Sequence, residues 1–120
     1  MRVVIIEDEQ LTAQRLENML HKYDATIEVL ETIPSVAEAV DWFKNNDNPD
    51  ITFMDIHLED DQCFAIFEKI NLDVPVIFTT AYDEYMIKAF KVNSIDYLMK
   101  PINYEELVSA IEKFKKLQKQ

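Results

Sequence analysis

Five polar or charged side chains stand at the ends of apolar runs in this sequence. Three of them are acids: Glu7 and Asp8 follow the first run, and Asp55 ends the run that begins at residue 51. Thr80 closes a later run, and Lys100 follows the last one. These residues are far apart along the chain, so they form one site only if the fold brings the ends of the runs together.

The residue types predict a particular chemistry for such a site. Clustered carboxylates repel one another, and each resists ionisation beside the others. A hard divalent cation relieves that repulsion, and oxygen-only ligands favour Mg²⁺, which phosphate groups often complete. Asp55 would then be the nucleophile, because a carboxylate can form an acyl phosphate. Thr80 would donate a hydrogen bond to one phosphoryl oxygen, and Lys100 would neutralise another.

Strands and helices alternate along the chain, which favours a parallel α/β sheet with right-handed crossovers. The apolar runs predict strands over residues 3–6, 27–32, 51–54, 74–80 and 95–99. Helical spacing predicts helices over 9–22, from the Ser35 cap onward, over 62–70, over 83–92, and from the Asn103 cap to about residue 116. The first, third and fourth strands are the most apolar and belong in the middle. The predicted fold is therefore a doubly wound five-stranded parallel sheet of order 2-1-3-4-5, with ligands outside the carboxyl ends of the strands.

The composition is that of one globular domain. The chain has 120 residues and a net charge of −11, which disfavours direct binding to nucleic acid. No apolar run approaches the about 20 residues that span a bilayer, and the single cysteine, Cys63, fits a reducing cytosol. Glycine is absent. We therefore expect positive φ at Asn93 and at an Asn or Asp within residues 45–48, where helices must end.

The chain resembles a response regulator receiver domain, the CheY-like phosphoacceptor module of flavodoxin-like topology, over essentially its whole length. The matching motifs are Ile6-Glu7-Asp8-Glu9, Met54-Asp55-Ile56, Thr80-Ala81 and Tyr97-Leu98-Met99-Lys100-Pro101. The run from residue 89 to 101 also resembles receivers that precede LytTR-type DNA-binding domains. The resemblance implies a sensor histidine kinase as partner, a cytoplasmic location and a C-terminal effector domain. We expect residues 1–120 to be the receiver part of a longer regulator.

The resemblance also implies a role for individual residues. Asp55 would be the phosphoacceptor and would bind Mg²⁺ together with Asp8, while Glu7 would act on the cation through water. His57 would offer Mg²⁺ its backbone carbonyl. Many receivers carry a glycine in the loop that follows the phosphoacceptor, whereas residues 58–62 here are Leu-Glu-Asp-Asp-Gln.

The resemblance also implies a pair of switch residues, and we expect a dimer interface that responds to them. Thr80 and Tyr97 would be the switch pair, Lys100 would contact the phosphoryl group, and the Lys100–Pro101 peptide bond is cis in this family. Phosphorylation would then alter the surface formed by the helix over 83–92, the fifth strand and the last helix, and promote homodimerisation. The expected interface residues are Val108, Leu117, Tyr85, Lys88 and Glu112, with Tyr85 and Lys88 facing Glu112.

Three other functions are compatible with this fold class. A Mg²⁺-dependent phosphohydrolase with an Asp nucleophile has a second acid two residues later, where this chain has His57. A flavin-binding module would cradle phosphate in the loop after the first strand, where residues 7–9 would repel it. A receiver-like module that only binds partners would not need the full set of acid, threonine and lysine.

Overall fold

The computed structural model describes residues 1–82 and 94–118, and this part of the chain contains one five-stranded parallel sheet. The strands pair in the order β2-β1-β3-β4-β5, which confirms the predicted order. Their bounds are β1 Arg2–Ile6, β2 Glu28–Ile33, β3 Ile51–Asp55, β4 Val76–Thr80 and β5 Ser94–Met99.

Four helices lie in the described part of the chain: α1 Gln10–Tyr23, α2 Val36–Asn45, α3 Phe64–Lys69 and α4 Tyr104–Gln118. The third is shorter than the predicted span of 62–70. The helix predicted over 83–92, and with it Asn93, lies outside the described residues. No described helix combines the length and apolar character that crossing a bilayer requires.

Both faces of the sheet are buried, as the unbroken apolar runs predict. Along β1, Val3 and Ile5 belong to the cluster that α1 and α4 cover, while Val4 and Ile6 belong to the opposite cluster under α2 and α3. All four side chains are fully buried. Each such aliphatic residue stabilises the fold by about 1.5–3 kcal/mol through burial, so the sheet is a firm platform for the loops at its edge.

Strand register decides which residues meet at the carboxyl edge of the sheet. Ile6 is opposite Met54, which makes Glu7 and Asp55 the next residues on two adjacent strands. Asp55 is opposite Thr79, and Thr80 is opposite Met99, which directly precedes Lys100. The predicted site residues therefore arrive at one edge because parallel strands end together there.

Side-chain caps define the start of two helices, as predicted. The Ser35 hydroxyl oxygen accepts a hydrogen bond of 3.1 Å from the Glu38 amide at the start of α2. The Asn103 side chain does the same at α4, accepting from the amides of Glu105 (2.8 Å) and Glu106 (3.3 Å). Each cap satisfies amides that have no partner within the helix.

The prediction of positive φ within residues 45–48 is wrong. No residue in the described part of the chain has positive φ, and the chain leaves α2 in an extended conformation at Asn46, with φ −138°. The side-chain amide of Asn45 donates to the Asp41 carbonyl (2.8 Å), and that of Asn46 donates to the Trp42 carbonyl (2.9 Å). Side-chain amides thus reach two carbonyls near the end of the helix, and that of Trp42 is one of the last four, which have no backbone partner within the helix.

This arrangement predicts that Asn46 stabilises the domain through its amide. Asn46→Asp keeps the shape but removes the donor and places a negative charge at the negative end of the helix, so it should lower the free energy of unfolding by about 1 kcal/mol or more. Urea unfolding measures the change. Asp47→Asn, at an exposed neighbouring position, is the control, and equal stability of Asn46→Asp and this control would contradict the assignment.

Candidate functional site

Two acids of the site are buried at the ends of adjacent strands. Glu7 and Asp55 are each 5% exposed, and Asp8 is half-buried beside them. The Glu7 amide donates to Ile33 of the neighbouring strand (2.9 Å), so its backbone is held in the sheet's hydrogen-bond network. The Ile56 amide donates to Thr79 (3.1 Å) and fixes the chain directly after Asp55 in the same way.

The three acids form a group that fits a divalent cation. One carboxylate oxygen from each of Glu7, Asp8 and Asp55 lies within 4.8 Å of the others. Oxygen donors at this spacing suit a hard cation such as Mg²⁺, and three neighbouring carboxylates need positive charge to remain ionised together. The donor set therefore agrees with the Mg²⁺ site that the sequence predicts.

Lys100 supplies positive charge to the same group. Its Nζ atom donates to Glu7 Oε1 at 2.7 Å and to Asp55 Oδ2 at 3.2 Å, and it lies 3.8 Å from Glu9 Oε1. The Lys100 amide donates to the Thr80 carbonyl (2.7 Å), which ties the backbone of this residue to the end of β4. The Lys100–Pro101 peptide bond is cis, as the resemblance implied.

Burial and charge shift the pKa values of Glu7 and Lys100. Burial raises the pKa of Glu7 to about 7, helped by the Asp55 charge and opposed by the hydrogen bond from Lys100. Burial alone would lower the pKa of Lys100, but the hydrogen bond with Glu7 and the charge of Asp55 outweigh it and raise that pKa. The lysine is therefore firmly protonated, while Glu7 titrates near neutrality.

Thr80 and Tyr97 meet at a residue that the sequence did not single out, Tyr82. The fully buried Thr80 accepts a hydrogen bond from the Tyr82 amide at its hydroxyl oxygen (3.2 Å). The Tyr97 hydroxyl donates to the Tyr82 carbonyl. One peptide segment thus connects the two predicted switch residues.

The His57 side chain also contacts Tyr82. The two rings meet edge to face, with centroids 5.1 Å apart and planes inclined by 76°. Both residues line an open cavity of about 570 Å³ above the acids, together with Asp8, Glu9, Asp55, Ala81 and Lys100. The position of Tyr82, two residues after a strand-end threonine, was the only sequence signal for its place in the cavity wall.

A family model for the response regulator receiver domain matches residues 3–112, which is most of the chain. The chain belongs to this family. It is therefore a receiver domain of two-component signalling and not an enzyme in the usual sense of catalytic turnover. Members of the family work with sensor histidine kinases and bind Mg²⁺ in an acidic pocket, and the acidic group described above has this composition.

Curated relatives share about a third of the receiver's residues. A protein named sensory transduction protein LytT from Enterococcus faecalis is 39% identical over 119 residues, covering 97% of this chain and 48% of the relative. A sensory transduction protein LytR from Staphylococcus epidermidis is 32% identical, covering 94% of this chain and 45% of the relative. The receiver thus spans about half the length of the curated relatives it matches.

Solved structures agree with the fold. The response regulatory domain of protein mrkE from Klebsiella pneumoniae has a TM-score of 0.88 at 22% identity, with all of both chains covered. The N-terminal domain of a response regulator/sensory box/GGDEF three-domain protein from Carboxydothermus hydrogenoformans has a TM-score of 0.83 at 27% identity, covering 99% of this chain and 97% of that one.

Three of the five predicted interface residues, Val108, Leu117 and Glu112, lie in the described part of the chain. Val108 is half-buried and Leu117 is 47% exposed, so both side chains reach the surface as expected. The Glu112 carboxylate accepts a hydrogen bond from the Tyr23 hydroxyl of α1 (2.8 Å). These two helices, α1 and α4, cover the same face of the sheet. Tyr85 and Lys88 lie outside the described residues.

The raised pKa of Glu7 predicts how stability depends on pH when cations are chelated. The folded receiver retains a proton on Glu7 up to about pH 7, whereas the unfolded chain releases it near the ordinary value of 4.5. The contribution of Glu7 to stability is therefore complete below about pH 4.5 and is lost as the pH rises to about 7.

Urea unfolding of the parent and of Glu7→Gln, in EDTA at about pH 5 and about pH 8, tests this loss of stability with rising pH. The parent should lose stability relative to Glu7→Gln between the two pH values, because glutamine carries no proton to release. Added Mg²⁺ should oppose the loss, since a cation stabilises the ionised carboxylate. Parallel changes in parent and variant would show that Glu7 is already ionised in the folded acidic group.

Proposed function

We propose that this receiver accepts a phosphoryl group on Asp55 from a sensor histidine kinase, in a reaction that requires Mg²⁺. The observation that carries the proposal is the placement of the Lys100 ammonium between Glu7 and Asp55, at 2.7 and 3.2 Å. A module that only binds partners has no need of a lysine held among buried carboxylates. A phosphoacceptor needs this charge to receive an anion beside other anions.

The residues at the mouth of the cavity would hold the cation. The carboxylates of Asp8 and Asp55 would bind Mg²⁺ directly, His57 would contribute its backbone carbonyl, and Glu7 would act through water. The bound cation would neutralise phosphoryl oxygens and orient the group for in-line transfer.

The protein side chains then perform the transfer by position and charge. A carboxylate oxygen of Asp55 attacks phosphorus, and the bond between phosphorus and the donor's leaving group breaks, with its electron pair departing on that group. Lys100 already lies 3.2 Å from the Asp55 carboxylate. Its ammonium has only to turn from Glu7 toward the incoming phosphoryl oxygens.

Thr80 and Tyr97 would read the modified aspartate through Tyr82. A phosphoryl group on Asp55 offers strong acceptor oxygens, which would draw the Thr80 hydroxyl toward them. The Tyr82 amide, which now donates to that hydroxyl, would lose its acceptor, and the Tyr82 carbonyl would move with respect to the Tyr97 hydroxyl. The phosphoryl group thereby shifts an existing equilibrium of the β5 surface.

The receiver would be part of a longer regulator. Residues 1–120 would form its receiver domain, because the relatives named LytT and LytR are about twice as long. The second half would be an effector domain, of the LytTR DNA-binding type, that controls transcription in the cytoplasm. Phosphorylation would promote homodimerisation of the receiver through the surface that includes Val108 and Leu117.

Intact mass spectrometry tests the phosphoacceptor. With Mg²⁺ and a small acyl-phosphate donor the parent should gain one phosphoryl group, and Asp55→Asn should gain none. Asp8→Asn should lose Mg²⁺ binding and phosphorylation together. Lys100→Ala should slow the reaction by roughly 100- to 1000-fold, and Lys116→Ala, a change at an exposed position of α4, should match the parent. Equal phosphorylation of Asp55→Asn and parent would refute the assignment.

Sedimentation velocity with Mg²⁺ and beryllium fluoride, an acyl-phosphate mimic, tests the dimer surface. The parent should associate when the mimic is present, and Val108→Glu should weaken association by tenfold or more, because it buries a charge at the interface. Ser109→Glu places the same charge at the next, exposed position of α4 and is the control. An undiminished response of Val108→Glu would move the interface elsewhere.

A further inference from the structure

The loop between β3 and α3 folds back on itself as a small hairpin. The Cys63 amide donates to the Ile56 carbonyl (2.7 Å), the Leu58 amide donates to the Asp61 carbonyl (3.0 Å), and His57 pairs with Gln62 in an antiparallel bridge. Glu59 and Asp60 are therefore the two residues at the tip. The hairpin begins directly after Asp55, so its position decides where the His57 backbone lies.

The tip is not formed from residues that favour such a turn. Two-residue hairpin tips normally have positive φ, usually at Gly or Asn, because those turns match the twist of the flanking strands. Here the tip is Glu59-Asp60, and positive φ is absent throughout the described part of the chain. The local sequence alone therefore specifies the position of this hairpin poorly.

Hydrogen bonds between Asp60 and the start of α2 fix the position of the tip. The Asp60 carboxylate accepts hydrogen bonds from the amides of Val36 (2.8 Å) and Ala37 (3.1 Å), the first two residues of α2. These amides have no acceptor within the helix, and the third, that of Glu38, is capped by Ser35. A negative charge at the positive end of a helix is also favourable. The hydrogen bonds from the two amides together outweigh desolvation and lower the pKa of Asp60, so the anchor is charged at neutral pH.

We infer that Asp60 is a positioning residue of the phosphoacceptor site, which holds the loop on α2 and thereby sets the affinity for the divalent cation. This inference rests on the proposed function, because His57 in the same loop is the proposed carbonyl ligand. Asp60 takes the place of a glycine turn: a charged contact to a rigid helix fixes the loop that a glycine would otherwise shape.

Two further contacts connect the anchored loop to the acids. His57, at the base of the hairpin, lines the cavity above Asp55 and packs on the Tyr82 ring. Glu59, at the tip, lines a second crevice of about 520 Å³ together with Glu7 and Asp8. Release of Asp60 from α2 would free both ends of the hairpin and increase the cost of ordering the His57 carbonyl around a cation.

Calorimetric titration with MgCl₂ tests the inference on four forms of the receiver. Asp60→Ala should weaken Mg²⁺ binding by about tenfold, as is typical when a group that orients a metal ligand is removed. Asp60→Asn keeps acceptor oxygen but loses charge and should lie between Asp60→Ala and the parent. Glu68→Ala removes the same charge from an exposed position of α3 and should change the affinity less than about threefold, since it leaves the anchor in place.

A fourth variant removes the contact between Asp60 and α2 by changing the helix instead of the loop. Val36→Pro removes the 2.8 Å donor, and proline suits this position because it is the first of α2 and Ser35 before it is extended. Like Asp60→Ala, this variant should weaken Mg²⁺ binding. Saturating Mg²⁺ should restore the phosphorylation rate of Asp60→Ala, because only the affinity for the cation is affected.

The outcomes separate the anchor from the proposed function. If the parent binds Mg²⁺ and is phosphorylated on Asp55, but Asp60→Ala and Glu68→Ala have equal Mg²⁺ affinities, Asp60 has a purely structural role and the inference is wrong, whatever happens to the melting temperature. If the parent neither binds Mg²⁺ nor gains a phosphoryl group, the proposed function itself fails.

Discussion

The ion pair between Lys100 and the buried acids is the interaction on which the rest of the site depends. Glu7 and Asp55 are both 5% exposed, and two carboxylates so close together in a buried place are strongly unfavourable without a cation. The Lys100 ammonium, at 2.7 and 3.2 Å, supplies that charge. The same ammonium would be needed by a phosphoryl group on Asp55. The charge that the proposed phosphoryl transfer needs is thus already held in place by the ion pairs of the folded receiver.

The sheet topology makes this interaction possible. Glu7 and Lys100 follow β1 and β5, and Asp55 is the last residue of β3. Register places the ends of these strands at one edge. The backbone of Lys100 is bound to Thr80 at the end of β4, so the lysine and the proposed switch threonine share a hydrogen-bonded segment. Tyr82 extends this segment to the Tyr97 hydroxyl on one side and the His57 ring on the other. Hydrogen bonds thus lead from Lys100, beside Asp55, through Thr80 and Tyr82 to Tyr97 on β5.

The apolar runs of the sequence predicted the strands and their order in the sheet. That order in turn placed Asp55, Thr80 and Lys100 at the carboxyl edge. Contacts between distant segments could not be predicted in this way. Asp60 anchors a loop to a helix that begins 24 residues earlier, and a lone exposed acid in a sequence gives no sign of this. The prediction of positive φ at the end of α2 was wrong, because the chain leaves the helix in an extended conformation and two asparagine side chains donate back to its carbonyls. The contact of Glu112 with Tyr23 of α1 was also not predicted, because the apolar arc of a helix does not say which helix lies beside each polar residue.

A crystal structure of the receiver with Mg²⁺ and beryllium fluoride tests the central claim most directly. The account predicts a fluoride adduct on an Asp55 carboxylate oxygen, a cation contacting Asp8 and Asp55, and the Lys100 Nζ atom moved from Glu7 to a fluorine of the adduct. A structure at saturating ligand in which Lys100 still bridges Glu7 and Asp55, with no adduct on Asp55, would contradict it.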